Sequence, residues 1–299
     1  MKLVFMGTPE FAGISLERLY NKGHDITGVF TQADKPKNRG MKVSFSPVKE
    51  LALEHGTPVF QPSKLSAGLF DGLCFDLIAV VAYGRMLPRE VLELPPLGCI
   101  NIHGSMLPKF RGASPIQHAI MSGEKETGVT SQYMAEAMDA GDILLSVKTQ
   151  IGEDETAADL YERLGKLGAG LLCETIEAIE RGEAVPRPQN HEEATYAPLI
   201  TKEMSPIDWS KSAYEIKCQV RGLIPWPVAT LQLGAKTLKV YSVDITENKT
   251  KSAPGAIVSH GKAGLEIACG DGAVIITKLQ APGGKIMTAA EYLRGNPVI

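Results

Sequence analysis

Short apolar runs of strand length alternate with segments of helical period along the first two thirds of the chain, and this alternation constrains the fold most. KLVFM (2–6), ITGVF (26–30), LIAVVAYG (77–84) and CINIH (99–103) are almost continuously apolar. Runs of this kind are typical of strands that are buried on both faces. Such strands, alternating with helices, predict an α/β domain with a mostly parallel sheet.

The segments between these runs carry helix-start signals. We expect Thr8 to cap a first helix with Pro9 behind it, and Ser46 to cap SPVKELALEHG (46–56) with Pro47 behind it. Two runs further on, 128–134 and 142–151, predict a pair of neighbouring strands, and residues 156–182 predict a long amphipathic helix. The first domain is therefore predicted to be a Rossmann-like α/β fold with helices on both faces of the sheet.

The composition changes after this helix. Residues 183–209 are polar, contain several prolines and show no sustained period, so they indicate an extended linker. One short helix (210–222) and about five short strand runs follow, with Gly270-Asp271-Gly272 as one of the turns. We predict a first domain over 1–189, a linker over 190–208, and a small OB-like β-barrel over 209–299.

Composition excludes several classes of protein. No apolar stretch approaches the ~20 residues of a membrane span, and MKLVFMGTPEF reaches a helix start too early for a secretory signal. The five cysteines are scattered without C-x-x-C spacing, so neither disulfides nor a zinc site are predicted. We expect a cytoplasmic protein that is monomeric, because no oligomerisation element is evident.

The net charge of −3 conceals an asymmetry. Residues 207–299 hold 11 Lys and Arg against 7 Asp and Glu, net +4, whereas residues 1–206 are net −7. The C-terminal part could therefore face a polyanion, although scattered lysines also serve solubility.

Asn101 and His103 end one of the apolar runs, in CINIHGSMLPKFRGASP (99–115). Because side chains alternate along a strand, both should project from one face while Ile100 and Ile102 enter the core. An amide donates N–H groups, and an imidazole donates a hydrogen bond or moves a proton near neutral pH. The pair suits acyl transfer, in which a carbonyl oxygen becomes an anion. Equally, both could be strand-end residues satisfied by the backbone of the turn.

Other chemistries lack their residue patterns. Ser105 has no G-x-S-x-G setting, the six histidines are too dispersed for a metal site, and MGTPEFAG (6–13) lacks G-x-G-x-x-G. Asp139 and Asp142 flank a glycine in MDAGDI (138–143). That spacing is typical of a tight turn, yet a carboxylate there could also orient the imidazole.

NIHGSMLPKFRGASPIQ (101–117), together with MDAGDI, resembles the folate-dependent formyltransferase family, whose pattern is N-x-H-x-S-x-L-P followed by D-x-G. VVAYGRMLP (80–88), IDW (207–209) and PWP (225–227) extend the resemblance over essentially the whole chain. The resemblance implies formyl transfer from 10-formyltetrahydrofolate, as in the members that act on methionyl initiator tRNA, and it implies no metal.

The resemblance also implies roles for particular residues. The catalytic residues would be Asn101, His103 and Asp139. Folate contacts would come from Ser105, Met106, Leu107 and Pro108, with Met106 in place of the more usual leucine, and pterin contacts from the backbone around Gly84, Arg85, Met86 and Leu87. The loop DKPKNRGMK (34–42) matches one that approaches the acceptor stem of tRNA, which assigns Arg39, Lys37 and Lys42 to tRNA binding.

Two alternative functions remain at this stage. A formyltransferase for a small amine, such as an amino sugar or glycinamide ribotide, would resemble the first 200 residues without needing the Arg39 loop and a basic β-domain. A folate- or RNA-binding protein without catalysis would gain nothing from the trio of Asn101, His103 and Asp139.

Overall fold

The computed structural model describes residues 1–37, 42–246 and 250–296. The helices are α1 (Glu10–Asn21), α2 (Pro47–Glu54), α3 (Arg89–Leu92), α4 (Pro115–Met121), α5 (Ala157–Glu180), α6 (Ala213–Gly222) and α7 (Ala289–Gly295). The strands are β1 (Lys2–Gly7), β2 (Asp25–Phe30), β3 (Lys35–Lys37), β4 (Lys42–Ser44), β5 (Val59–Phe60), β6 (Leu77–Val81), β7 (Cys99–His103), β8 (Glu126–Tyr133), β9 (Ile143–Gln150), β10 (Ala229–Leu233), β11 (Lys236–Thr246), β12 (Ile257–His260), β13 (Leu265–Cys269), β14 (Gly272–Gln280) and β15 (Ile286–Thr288).

The chain divides into two compact units. The first comprises 1–115, 126–150 and 161–198, and the second comprises 116–125, 151–160 and 199–299. The first unit therefore ends near the predicted linker, while two short segments of the predicted first domain, 116–125 and 151–160, belong to the second unit.

The first unit is built on a seven-stranded sheet in the order β5-β2-β1-β6-β7-β8-β9. The strands from β5 to β7 are parallel, and β8 and β9 join as antiparallel strands. The second unit contains an antiparallel sheet in the order β10-β11-β14-β13-β12, with β15 paired to β14. The predicted fold class is confirmed.

Each face of the first sheet is covered by apolar residues. One face carries a buried cluster that includes Val4, Met6, Ile78, Val80 and Cys99. On the other face α5 approaches the sheet closely, since a side chain at Gly168 would come within 2.9 Å of Ile102. The alternation along β7 therefore separates these two cores, as predicted from the sequence.

One helix start differs from the prediction. Ser46 caps α2 as expected, by accepting a hydrogen bond from the Lys49 N–H. At α1, however, Pro9 occupies the cap position without a side-chain hydrogen bond. The Thr8 hydroxyl accepts a hydrogen bond from the Gln32 N–H at 3.3 Å instead. Tertiary neighbours at the end of β1 thus take the hydroxyl away from the helix.

The core of the second unit lies between its sheet and two helices. α6 contributes Ile216 and Val220, and α7 contributes Tyr292 and Leu293. Neither α7 nor β15 was predicted, although Thr288 and Glu291 form a capping box at the start of α7. No helix among the residues described is both long and apolar enough to cross a bilayer.

Candidate active site

β7 carries Asn101 and His103 to the carboxyl end of the parallel strands, on the face opposite Ile102. The strand pairs with β8, and the register sets Asn101 beside Gln132 and His103 beside Thr130. In open α/β sheets this edge is where ligands bind. The two side chains therefore project together at this edge of the sheet, as the alternation predicts.

His103 is buried, and both of its ring nitrogens have neighbours. Its Nε2 lies 2.9 Å from the carbonyl oxygen of Phe110, and its Nδ1 lies 3.6 Å from Oδ2 of Asp139. Because a carbonyl oxygen can only accept, Nε2 carries a hydrogen in this arrangement. Nδ1 is then the nitrogen that can take up or release a proton beside a carboxylate.

Asp139 lies in the loop between β8 and β9 with a positive φ of 50°. Its Oδ2 accepts a hydrogen bond from the Gly112 N–H at 2.8 Å, and its Oδ1 accepts one from Gln132 Nε2 at 3.3 Å. The D-x-G-D segment is thus a turn that also delivers a carboxylate to His103. Both interpretations of its spacing apply.

The Asn101 side chain is half-buried. Within the part of the chain that the structure describes, no hydrogen-bond partner is found for its amide. Its N–H groups are therefore available to a ligand at the edge of the sheet, which argues against their being satisfied by the turn.

The turn after β7 is ordered by its own polar groups. The Ser105 hydroxyl donates to the carbonyl oxygen of Lys109 at 2.5 Å, and the Leu107 N–H donates to Thr130 Oγ1 at 3.2 Å. The Leu107–Pro108 peptide bond is cis, and the Leu107 side chain is buried while Met106 is half-buried. The assignment of these four residues to folate binding stays a prediction.

The loop after β6 is also held in place. Gly84 has a φ of 78° and its carbonyl accepts a hydrogen bond from Gln32 at 3.3 Å. Arg85 donates to the carbonyls of Pro62 and Ser63 at 2.9 and 2.8 Å. Met86 is 50% exposed, whereas Leu87 enters the core. The exposed Met86 side chain therefore offers an apolar surface on which a flat ring could pack. The assignment of this loop to pterin binding remains a prediction.

Tyr83, at the start of this loop, is a further polar residue that the sequence did not single out. Burial raises the pKa of its phenol, and its hydroxyl has no hydrogen-bond partner among the described residues. Its carbonyl accepts from Gln32 Nε2 at 2.9 Å.

Two of the three predicted tRNA-binding residues, Lys37 and Lys42, lie at the β3–β4 pair. The backbones of Lys37 and Lys42 are opposite each other in its register. Arg39 lies outside the described residues. The roles of these three residues stay predictions.

The sequence missed the residues that hold the site together. Phe110, Gly112 and Gln132 all contact the pair of His103 and Asp139. Phe110 and Gly112 lie within the segment 101–117 that carries the family resemblance. Their role depends on backbone atoms, however, and a residue pattern does not indicate which backbone atoms form hydrogen bonds. Gln132 is placed by strand register, and the paired runs at 128–134 and 142–151 could have indicated it.

A metal centre would need several His, Cys, Asp or Glu side chains close together. No group of three or more His, Cys, Asp or Glu side chains that could hold a metal ion occurs in residues 1–37, 42–246 and 250–296.

Two protein-family descriptions match the chain. The formyl transferase family matches residues 1–176, and the formyl transferase C-terminal domain matches residues 199–297.

Full-length relatives are similar over the whole chain. The methionyl-tRNA formyltransferase of Alkaliphilus oremlandii is 47% identical over 302 residues, covering 100% of this chain and 97% of the relative. The methionyl-tRNA formyltransferase of Trichlorobacter lovleyi is 46% identical over 301 residues, covering 99% and 95%.

Solved structures share the fold at lower identity. An N-formyltransferase from Helicobacter canadensis, in complex with folinic acid and dTDP-3-aminofucose, has a TM-score of 0.68 at 18% identity, covering 92% of this chain and 97% of that chain. HypX from Aquifex aeolicus, in complex with tetrahydrofolic acid, has a TM-score of 0.63 at 23% identity, covering 98% and 47%. At these identities the similarity supports the fold alone.

Proposed function

This chain belongs to the formyl transferase family, and we infer that it transfers the formyl group of 10-formyltetrahydrofolate to the amino group of methionyl-tRNA. The product, formylmethionyl-tRNA, serves translation initiation. The observation that carries this function is the 47% identity to a methionyl-tRNA formyltransferase over the full length of the chain. The site on β7 supplies the residues that such a transfer needs.

Asn101 is assigned the stabilisation of charge. When the amine adds to the formyl carbon, the formyl oxygen gains negative charge, and a donor fixed beforehand lowers the barrier. The Asn101 amide has N–H groups without a partner among the described residues, and it has no acid–base activity of its own. It therefore donates to this oxygen in every protonation state of the site.

His103 and Asp139 are assigned the proton transfer. The attacking amine loses a proton, and the folate nitrogen that releases the formyl group gains one, so a group at the site must move a proton between them. Nδ1 of His103 and Oδ2 of Asp139, 3.6 Å apart, are placed to hold it. The hydrogen bond from Nε2 to the Phe110 carbonyl fixes the ring while Nδ1 changes its protonation. The reaction then proceeds by direct transfer, with no covalent bond to the enzyme.

Recognition of the tRNA is assigned to basic residues. Arg39, Lys37 and Lys42 belong to the sequence segment 34–42, and the segment 207–299 has a net charge of +4. Lysine and arginine side chains bind RNA phosphates without reading sequence, and such binding weakens as salt rises. Because charged tRNA is used by ribosomes, we place the reaction in the cytoplasm, and we expect the enzyme to act as a monomer.

The test is a formyl-transfer assay with two acceptors. The wild-type chain is given 10-formyltetrahydrofolate with methionyl initiator tRNA or with dTDP-3-aminofucose. We expect transfer to the tRNA and none to the sugar. Robust folate turnover that ignores the tRNA would contradict the proposed function and indicate a small amine as substrate.

Arg39→Ala tests the tRNA assignment separately. It should raise the KM for methionyl-tRNA and leave the KM for the formyl donor unchanged. Arg181→Ala is a matched control, because Arg181 is 56% exposed and pairs with Glu183. Equal kinetics for the two variants would remove Arg39 from the tRNA-binding surface while leaving the activity in place.

A further inference from the structure

Arg111 is a buried arginine of the first unit that the proposed chemistry does not use. It is 4% exposed, and among the described residues it forms no ion pair with Asp or Glu. A buried cation without a counter-ion is costly unless its donors are satisfied. Its guanidinium donates instead to Gln189 Oε1, from Nε at 3.2 Å and from Nη2 at 2.6 Å. Nη2 also lies 3.1 Å from His191 Nδ1, which must accept.

The guanidinium fixes which end of the Gln189 amide points where. Since an arginine has donors only, the amide oxygen faces Arg111 and the amide nitrogen faces away. Gln189 Nε2 lies 2.9 Å from the carbonyl oxygen of Asp139 and 2.7 Å from that of Gly141. Arg111 thereby orients an amide that holds the backbone of the loop bearing the carboxylate.

The same orientation passes to a second amide. Gln189 Nε2 also lies 3.2 Å from Gln132 Oε1. Its two hydrogens serve three acceptors, so this longer contact shares one of them, and Gln132 presents its oxygen here and its nitrogen on the other side. Gln132 Nε2 in turn lies 3.3 Å from Asp139 Oδ1. Gln132 and Gln189 are both buried, and hydrogen bonds in such surroundings reinforce one another.

We propose that Arg111, Gln189 and Gln132 form a positioning relay for Asp139, in which the buried guanidinium orients two amides so that an N–H faces the carboxylate. The relay keeps Oδ2 of Asp139 toward His103. This proposal rests on the proposed function for its readout, but it concerns residues for which that function assigns no role.

The relay predicts a kinetic signature. His103 is the basic side chain within 4.0 Å of the Asp139 carboxylate in the described chain, and Arg111 is the charged group at the other end of the relay. Loss of a donor to a carboxylate disfavours its ionised form. Breaking the relay should therefore lower kcat and move the acid limb of the pH profile to higher pH, with little change in the KM for the formyl donor.

The experiment compares Arg111→Met, Gln132→Met and the double variant in the formyl-transfer assay between pH 5 and 9. Each single variant should lower kcat by roughly ten-fold, part of the ~100-fold or more that acid–base groups contribute. Both should displace the acid limb in the same direction. The kcat of the double variant should be no lower than that of the less active single variant, because either change interrupts the same chain of hydrogen bonds. Additive effects, or an unmoved acid limb in folded variants, would overturn the relay.

Two further variants separate positioning from stability. Arg221→Met removes another buried arginine, which donates to the carbonyls of Gly152 and Glu155 in the second unit. It should lower the melting temperature without moving the acid limb. Arg111→Lys keeps a cation that can donate to Gln189, and it should restore part of the wild-type pH profile.

These variants also cover the less favourable outcomes. If Arg111→Met does not fold, Gln132→Met and Arg111→Lys still decide the question, since a relay requires the first to move the acid limb further than the second. An inactive wild-type chain would instead refute the proposed function, so the two failures are distinguishable.

Discussion

Oδ2 of Asp139 lies 3.6 Å from Nδ1 of His103 and accepts a hydrogen bond from the Gly112 N–H at 2.8 Å. The backbone amide fixes the oxygen from one side while the imidazole faces it from another. A gap of 3.6 Å is longer than a hydrogen bond, so a small shift of the ring is enough to close it or to admit a reacting group. Asp139 Oδ2 is therefore fixed close to His103 Nδ1 without a direct hydrogen bond between them.

Asn101→Ala should reduce kcat by about 10²–10³, or about 2.7–4 kcal/mol in the barrier, which is the scale for loss of one preformed oxyanion donor. The KM for the formyl donor should change little, because the donor acts mainly on charge that develops during transfer. Steady-state kinetics measure both constants. Asn21→Ala, at the exposed end of α1, is the control, and a kcat within two-fold of wild type for Asn101→Ala would remove Asn101 from the chemistry.

Gly112→Ala should damage both stability and turnover. Gly112 has a φ of 123°, and a Cβ there would come 2.6 Å from the carbonyl oxygen of Ala197. The backbone must move, which costs about 1–3 kcal/mol and withdraws the N–H from Asp139. Thermal melting and kcat report the two effects. Gly182 has a φ of 68°, and a Cβ there would meet no atom of the described residues within 4 Å beyond its chain neighbours. Gly182→Ala should therefore lower the melting temperature alone, and equal kcat values for both variants would refute the link to Asp139.

Lys49→Met should make the free energy of unfolding depend less on pH at acidic pH. Lys49 Nζ lies 2.5 Å from Asp34 Oδ2. Its hydrogen bond, followed by one from Gln61, lowers the pKa of Asp34. Because the folded pKa is depressed, the stabilisation is full above the unfolded value of about 3.9 and is lost as pH falls through the folded pKa.

The difference between wild type and Lys49→Met should therefore reach at most about 1 kcal/mol at pH 7 and shrink as the pH falls below about 4. Denaturant unfolding at several pH values measures it. Lys22→Met removes the more exposed pair with Glu177 and should cost less. A difference that grows toward low pH would have the wrong sign for this pair.

Thiol labelling should find one reactive cysteine in the folded protein. Cys74 is exposed, while Cys99, Cys173, Cys218 and Cys269 are buried. Burial raises the pKa of Cys99 to about 12, and the thiolate is the form that reacts. Titration with a chromogenic disulfide should give one fast equivalent in wild type and none in Cys74→Ser. Fast reaction of a second thiol would mean that a core opens readily.

Much of the fold could be predicted because its signals are local. The Ser46 cap of α2, the Gly270-Asp271-Gly272 turn between β13 and β14, and the alternation along β7 each depend on a few consecutive residues. The capping box of Thr288 and Glu291 is an equally local signal, and it indicates a helix start at α7. The predicted cap at Thr8 failed for the opposite reason, since its hydroxyl accepts a hydrogen bond from Gln32, which follows another strand, β2.

By itself, the sequence determined most of the order of elements, the pair of Asn101 and His103 on one face of a strand, and the carboxylate at Asp139 as a candidate partner. These follow from periodicity and from residue type, which a linear pattern contains. Only the tertiary structure decided that Asp139 meets His103, and that Gln189 and Arg111, 78 residues apart, orient that carboxylate. Such contacts depend on strand register and on backbone angles such as the φ of 50° at Asp139. Both are set when the whole sheet packs, because no short segment has the energy to fix them alone.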